Sequence, residues 1–436
     1  GASFLKAGTN HNSKGIIAIQ ELLEVVNNYM TIGATEDALT LLNSAISLGE
    51  PYASYPLLYY YKAYNLLKSK NSIEFQTCLD KARSLSPLNN YPFRIEEIAL
   101  FKTLLQKRPD DALLHYHLGN LLYFLGQKES GLEHWLHATE TDPSFAIAAR
   151  NVGFGYGCLN DLEKSIKYYD RAINANPNDP LLLTESDKIY EQANIPTDQR
   201  LKRLESHLKT VMKHDDAVMR LLTLYNAESK YDKSIKILNT RHFHLWEGGG
   251  QVHDIYADSH ILKGMQFLKR KQYKEAIREF DLANQYPSNL EVAPSPNGGY
   301  EAKIYYLSGI AYEAMKQTDK AKICFEKSAD THFRSHLTDL NYYKIKSLRK
   351  LNRNGEADVA LSDMQKTLER ILRNPTDSYA KFGEANQNVQ QSNISYYSGL
   401  IHLLQNNPSA AKNDFTQALQ LYPGNIWAQL MNKDIH

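Results

Sequence analysis

The sequence predicts an all-α fold, a right-handed superhelical solenoid of about ten helix pairs. Prolines recur at intervals of 34 residues, at Pro109, Pro143 and Pro177. Glycines keep the same interval at Gly119 and Gly153. No segment alternates apolar and polar residues as a half-buried strand does. A fixed period of this length, without strands, is typical of stacked helical repeats.

The period explains the residue types within one pair of antiparallel helices. Gly119 and Gly131 allow the two helices to approach closely, and Leu122 and Trp135 fill the remaining space. Pro143 cannot continue a helix, so it ends the second helix and precedes the next pair. A single pair leaves an apolar face uncovered. Stacking of neighbouring pairs covers that face.

The segment DALLHYHLGNLLYFLGQKESGLEHWLHATETDP, residues 111–143, closely resembles the tetratricopeptide repeat (TPR). A wider likeness covers residues 90–330 and rests on the segments YPFRIEEIALF, RHFHLWEGGGQVHDIYADSH and YPSNLEVAPSPNGGYEAKIYYLSGIAYEA. This stretch is similar to the C-terminal TPR half of an uncharacterised bacterial family with an N-terminal β-rich domain of unknown function. The resemblance implies a missing N-terminal domain of the same gene product and brings no known activity.

Five consecutive stretches make up the predicted superhelix, which we expect to be continuous. They are a polar lead-in at 1–18, N-terminal pairs at 19–90, central pairs with one extra amphipathic helix at 91–247, pairs with an inserted loop (286–299) at 248–373, and a polar insert, last pair and capping helix at 374–436. The capping helix is expected at Ile426–Asp434, because a solenoid must cover its terminal apolar face.

Tyrosine is abundant on the predicted inner face of the first helices. The resemblance implies that the second, fifth, ninth and twelfth positions of each first helix line a concave groove, and tyrosine suits peptide recognition. The alternative is that these tyrosines pack within the array and only their hydroxyls reach water. The predicted groove residues are Tyr60, Tyr64, Tyr116, Asn120, Tyr123, Arg150, Phe154, Asn226, Tyr306, Tyr342, Lys346 and Tyr396.

A histidine-rich segment is the sharpest local feature of the sequence. The predicted pocket residues are His242, His244, Trp246, Glu247, His253 and His260. One interpretation is a structured turn, because three glycines follow Glu247. A second is a pocket for an organic ligand or peptide. A third is a metal site built from two loop imidazoles and Glu247. The spacing matches no dedicated metal motif, and we predict neither a metal nor a cofactor.

Charge and motifs exclude several function classes. The 50 Lys and Arg nearly balance the 49 Asp and Glu, which argues against a nucleic-acid partner. No apolar run approaches the length of a membrane span, so we expect no membrane insertion. No GxSxG, Walker loop or strand-linked GxGxxG motif is present, so we expect no enzymatic activity.

The function that the sequence favours is a protein-interaction scaffold that binds a peptide or partner domain in its tyrosine-rich groove. The alternative is the accessory helical half of a larger carbohydrate-related enzyme or binding protein, with residues 242–260 forming part of a ligand pocket. The chain begins Gly1-Ala2-Ser3 without a charged-plus-apolar signal segment. Localisation therefore stays open between the cytoplasm and, after removal of a signal peptide, the periplasm or the exterior.

Overall fold

The computed structural model describes residues 12–68, 72–244, 251–294, 299–332, 337–373 and 387–435. Within these ranges the chain forms 23 α-helices, two 3-10 turns and no strand, which confirms the predicted all-α class. The chain divides into two compact units, Gly1–Pro177 and Asn178–His436. None of the described helices combines the length and apolar character that a bilayer crossing requires.

The described part of the first unit contains four helix pairs and one additional helix. The pairs are α1 with α2, α3 with α4, α6 with α7 and α8 with α9. The additional helix α5 lies within residues 91–247, for which the sequence predicted one extra amphipathic helix. The bounds are α1 Asn12–Thr31, α2 Thr35–Ser47, α3 Pro56–Lys68, α4 Ser72–Arg83, α5 Glu96–Lys107, α6 Ala112–Phe124, α7 Lys128–Thr141, α8 Ala146–Cys158 and α9 Leu162–Ala175.

The described part of the second unit contains six further pairs, so the total agrees with the predicted number. The one-turn helix α12 follows α11, and α23 follows the last pair. The bounds are α10 Pro180–Gln192, α11 Thr197–Ser206, α12 Leu208–Val211, α13 Asp215–Ala227, α14 Tyr231–Thr240, α15 Gln251–Lys269, α16 Tyr273–Ala283, α17 Glu301–Ala314, α18 Thr318–Ala329, α19 Asp339–Lys350, α20 Asn354–Arg373, α21 Gln387–Leu404, α22 Pro408–Leu421 and α23 Ile426–Asp434.

One contact joins the two helices in the same way in five of the pairs that the structure describes. A glycine of the first helix lies against an aromatic ring of the second helix. A Cβ atom built on Gly264 would lie 2.4 Å from the ring of Phe280. Glycine is therefore required for this approach, and the ring fills the space beside it. The same contact joins Gly119 with Trp135, Gly153 with Tyr169, Gly309 with Phe325 and Gly399 with Phe415.

Polar side chains start several helices. Asp111 is fully buried and accepts hydrogen bonds from the backbone N–H groups of Leu113 and Leu114 at the start of α6. Asn407 accepts one from Ala410 at the start of α22. These side chains satisfy N–H groups that have no partner within the helix, which fixes where each first turn begins.

Helix α23 extends beyond the predicted capping role. It packs against α22, as expected of a cap on the last pair. It also reaches first helices of earlier pairs in the second unit. The ring of Trp427 lies 3.4 Å from Nζ of Lys303 on α17. Lys269 at the end of α15 donates to Asp434 at 2.6 Å. The C-terminal helix therefore covers part of the inner face formed by α15 and α17.

Candidate binding surfaces on the first helices

In the first unit, two predicted groove tyrosines are buried in the helical core. Tyr60 is fully buried, with its ring centroid 6.0 Å from that of Phe101 and 5.9 Å from that of His117. Its hydroxyl has no hydrogen-bond partner among the described residues, and burial raises its pKa well above the usual value. Tyr116 is also buried. At these two positions the side chains pack within the array, but the Tyr60 hydroxyl is buried and does not reach water as the packing alternative expected.

Asn120 is held by neighbouring side chains of the first unit. Its Oδ1 accepts hydrogen bonds from Nε1 of Trp135 at 2.8 Å and from Nδ2 of Asn151 at 2.9 Å. It also hydrogen-bonds the side chain of Tyr116. The amide oxygen and the amide nitrogen of Asn120 thus both form hydrogen bonds with other side chains of the protein. Pairing with a peptide backbone through both amide groups would require these bonds to break.

The remaining predicted residues of the first unit are half-exposed and lie on α3, α6 and α8. Phe154 is 40% exposed, and its ring centroid lies 6.0 Å from that of Tyr123. The guanidinium of Arg150 lies 5.7 Å from the centre of the Phe154 ring. Tyr64 is half-buried, with the Lys68 ammonium 4.8 Å from its ring centre. Aromatic rings beside cations are suited to both apolar and anionic groups.

In the second unit, Asn226 and Tyr396 serve internal packing. Asn226 Oδ1 accepts a hydrogen bond from the Ser259 hydroxyl at 2.9 Å, which connects α13 to α15. Tyr396 is buried, and its hydroxyl has no hydrogen-bond partner in the ranges that the structure describes. Both residues lie on first helices as predicted, but neither presents a free surface.

The other three predicted residues of the second unit line one cleft. The cleft has a volume of about 450 Å³ and lies between α17, α19 and the end of α21. It brings together aromatic rings, three cationic side chains and two leucines. We call it the basic cleft, and it is lined by Tyr306, Tyr342, Lys346, Arg349, Lys350, Leu403, Leu404 and Asn406. Sequence reasoning missed Lys350, both leucines and Asn406, because spacing within one helix does not show which ends of other helices lie beside it.

The ammonium of Lys346 is the charged group in the centre of the basic cleft. It lies 5.2 Å from the ring centres of both Tyr306 and Tyr342 and 3.4 Å from the Tyr342 hydroxyl. Burial, together with the neighbouring charges of Lys350 and Arg349, lowers its pKa. Within the described residues, no carboxylate oxygen comes within ion-pair distance of it. The site therefore favours an anion.

The two other cations of the basic cleft are fixed by the protein. Arg349 donates to the Leu404 carbonyl at 2.7 Å, which joins α19 to the end of α21. Lys350 forms an ion pair with Glu313 of α17 at 2.6 Å. These contacts hold the walls of the cleft in place. They leave Lys346 as the group with the least charge compensation.

A buried polar cluster lies beneath α23. Lys303 is 1% exposed and pairs with Asp339, and its ammonium also contacts the Trp427 ring. Asp258 on α15 accepts a hydrogen bond from Trp427, while its Oδ1 atom is buried without another hydrogen-bond partner among the described residues. Burial raises the pKa of Asp258 to about 7, although the Lys303 charge acts in the opposite direction.

The structure separates the predicted histidine pocket into two groups. His242 and His244 are exposed and lie beside Glu291. His253 and His260 are buried on α15 with partners of their own. The ring of His253 stacks on Tyr286 with centroids 3.8 Å apart, and His260 hydrogen-bonds Glu279 at 2.6 Å. Trp246 and Glu247 lie outside the described residues.

Glu291 is the member of the exposed group that sequence reasoning missed. Its Oε1 atom lies 2.8 Å from Nε2 of His242, although the two residues are 49 positions apart in the chain. It belongs to the inserted loop that the sequence predicted at 286–299. No local spacing rule links a loop residue to a segment so far away. The loop prediction therefore identified the segment but not its partner.

Comparisons with known proteins agree with the fold. The tetratricopeptide repeat family matches residues 156–179 and 302–330. Similar solved structures include YrrB, a TPR protein with an unusual peptide-binding site, which is 16% identical over 50% of this chain and 97% of that chain with a TM-score of 0.33. TTC0263, a thermophilic TPR protein in Thermus thermophilus, is 18% identical over 47% of this chain and 97% of that chain with a TM-score of 0.27.

A third similar structure is MamA from Desulfovibrio magneticus RS-1, 17% identical over 44% of this chain and 93% of that chain with a TM-score of 0.25. The two segments that match the repeat family fall on the end of α8 with α9 and on the pair α17 with α18. Together with the repeated glycine–aromatic contact, these two family matches define the class. Within residues 156–179 and 302–330 the chain therefore contains tetratricopeptide repeats.

Proposed function

We propose that this protein is an interaction scaffold that binds an acidic segment of a partner protein in the basic cleft. Proteins built from tetratricopeptide repeats act in general as non-enzymatic scaffolds, and the proposal involves no catalysis. The observation that carries it is the Lys346 ammonium, which is half-buried between two tyrosine rings without a carboxylate partner among the described residues.

The electrostatics of the cleft favour a carboxylate. Three cationic side chains line it, and their mutual repulsion together with burial disfavours the charged form of Lys346. A bound carboxylate would compensate that charge and accept hydrogen bonds from the ammonium. The ligand can be a side chain of Asp or Glu or a C-terminal carboxylate, since both present the same group.

The shape and lining of the cleft set the size of the ligand segment. A volume of about 450 Å³ lies within the range of sites that hold one small ligand, so a few residues of a partner fit rather than a folded domain. Tyr306, Tyr342 and Leu403 offer apolar area beside the cations. The favoured segment therefore combines an acidic group with an adjacent apolar side chain.

The test is a selection of displayed peptides on the full chain, with free and blocked C-termini in separate libraries. The selected peptides are then titrated by calorimetry against wild type, Lys346→Met and Lys344→Met. Lys344 is the matched control, since it lies on the same helix and donates to the Thr331 carbonyl outside the cleft lining. We expect acidic peptides to be enriched and Lys346→Met to weaken their binding roughly 10-fold or more.

We also expect the affinity to fall as salt concentration rises, because the contact is charge-based and partly exposed. The proposal fails if the selected peptides carry no acidic residue. It fails equally if Lys346→Met binds them as tightly as Lys344→Met does. Libraries with free and blocked C-termini distinguish a chain-end carboxylate from a side-chain carboxylate.

A further inference from the structure

Three potential metal ligands from two distant segments converge beside the end of α14. Glu291 Oε1 lies 2.8 Å from Nε2 of His242 and 3.9 Å from Nδ1 of His244. The three ligand atoms all lie within 4.8 Å of one another. This group is distinct from the basic cleft, with which it shares no residue.

The first segment is fixed by the residue between the two histidines. Phe243 is fully buried, and its backbone N–H donates to the Asn289 carbonyl at 2.9 Å. Side chains alternate in extended backbone, so residues on either side of a buried one point away from the core together. The backbone N–H of His244 also donates to Asp215 at 2.9 Å. The two imidazoles are therefore presented from an anchored backbone.

The second segment is anchored in a similar way. The Asn289 amide donates to the carbonyls of Leu238 and Arg241, each at 2.7 Å. Leu290 is fully buried, so the loop is held on both sides of its contact with the histidine segment. Glu291 follows directly and has a φ of 52°, in the left-handed region that non-glycine residues seldom adopt. This conformation ends the short 3-10 turn Ser288–Leu290, and the Glu291 carboxylate that follows lies beside the two histidines.

We propose that His242, His244 and Glu291 bind one zinc ion. Two imidazoles and a carboxylate are a ligand set that zinc accepts, at about 2.0–2.2 Å from the ion. In a tetrahedral site, ligands at that distance lie about 3.4 Å from one another. The separations from Glu291 Oε1 to the two histidine nitrogens, 2.8 Å and 3.9 Å, lie on either side of that value. Small side-chain rotations of exposed groups suffice to reach it.

The site as proposed would be open rather than fully enclosed. The side chains of His242, His244 and Glu291 are 53%, 80% and 39% exposed. Three protein ligands leave a fourth position for water or for a donor atom of another molecule. The ion would connect the segment after α14 to the loop before α17. Its binding would therefore stabilise the contact between these two segments.

The test is a zinc titration of the full chain, free of any affinity tag, against a chromophoric chelator at pH 7.5. We expect one zinc ion per chain to bind in wild type. Loss of one ligand, in His242→Ala or Glu291→Gln, should weaken binding roughly 100-fold, at least as much as the loss of a side chain that only orients a ligand. Hydrogen exchange gives a second readout, since zinc should slow exchange in residues 241–244 and 288–291 of wild type but not of His242→Ala or Glu291→Gln.

The control is His402→Ala, because His402 and Asp414 form a half-buried pair at 2.7 Å that lacks a third ligand among the described residues. This variant should bind zinc as wild type does. The proposal is overturned if wild type binds no stoichiometric zinc. It is also overturned if His402→Ala loses as much affinity as His242→Ala, since binding would then be spread over several histidines. Circular dichroism of each variant shows whether the fold is intact.

Discussion

Gly264 and Phe280 show how closely the two helices of one pair approach. The ring of Phe280 is fully buried and occupies the volume that a side chain at position 264 would need. We expect Gly264→Ala to lower the free energy of unfolding by about 1–3 kcal/mol, because the buried ring must move. Thermal and urea unfolding followed by circular dichroism measure the change.

Gly355 provides the matched control for that substitution. It lies in the first turn of α20, and a Cβ built on it meets no atom within 4 Å. Gly355→Ala should leave stability unchanged or raise it by up to about 1 kcal/mol, through helix propensity alone. Equal losses in Gly264→Ala and Gly355→Ala would show that the close approach is not what limits position 264.

Single residues also mark what could be predicted from the sequence. Gly119 and Trp135 could be assigned to a close helix contact, because the 34-residue period repeats that pair of residue types. The sequence could not show whether Tyr60 is buried or exposed, since the same position on a helix can line the groove or pack between helices. The sequence pattern specifies the face on which a side chain lies. It does not specify how much neighbouring helices cover it.

At the scale of elements, helix α23 is held on α15 and α17 by a cluster that includes a titratable carboxyl group. Burial raises the pKa of Asp258 to about 7, above the ordinary value near 4. In the docked state burial favours the protonated carboxyl group, although the Trp427 hydrogen bond from α23 acts in the opposite direction. Docking is strongest below the ordinary pKa, weakens as pH rises from about 4 to about 7, and is then constant.

This pH dependence of docking predicts how fast the amides of α23 exchange hydrogen with water. Amides of residues 426–434 should exchange faster at pH 7.5 than at pH 5, after correction for the intrinsic pH dependence of exchange. Asp258→Asn should flatten this change, because the amide has no charge to bury. Asp232→Asn is the control, since that carboxylate is 88% exposed in its pair with Lys263. A wild-type profile with no pH dependence would rule out a role for Asp258 in docking.

The contacts of α23 also show why the position of a helix in the sequence was easier to predict than the helices that it contacts. A capping helix at Ile426–Asp434 follows from the amphipathic pattern and from its place after the last pair, and the structure has a helix with these bounds. Its contact with Lys303 joins residues more than one hundred positions apart. Such contacts depend on how the pairs stack over the whole unit. Local spacing carries no information about them.

At the scale of the whole molecule, the second unit contains a contact between its first helix and the residue that follows α22. The hydroxyl of Tyr422, after α22, donates to Glu191 on α10 at 2.8 Å. Glu191 belongs to a buried network with Asp187, Arg200 and Arg220. These charges are mutually compensated, and losing one partner of such a network is strongly destabilising. Both residues of the contact between Tyr422 and Glu191 therefore lie within residues 178–436.

Because this contact lies within the second unit, we predict that the second unit folds and binds peptides independently. Expressed alone, residues 178–436 should unfold cooperatively, because stability in repeat arrays comes mainly from contacts between neighbouring repeats. The fragment should also bind the acidic peptides selected on the full chain, with an affinity within about twofold of that of the full chain. Residues 1–177 should fold without binding these peptides, since the basic cleft lies wholly in the second unit. A fragment 178–436 that remains helical but loses the peptides would show that the first unit contributes to the site. A fragment 178–436 that fails to fold would contradict the prediction that the second unit folds independently.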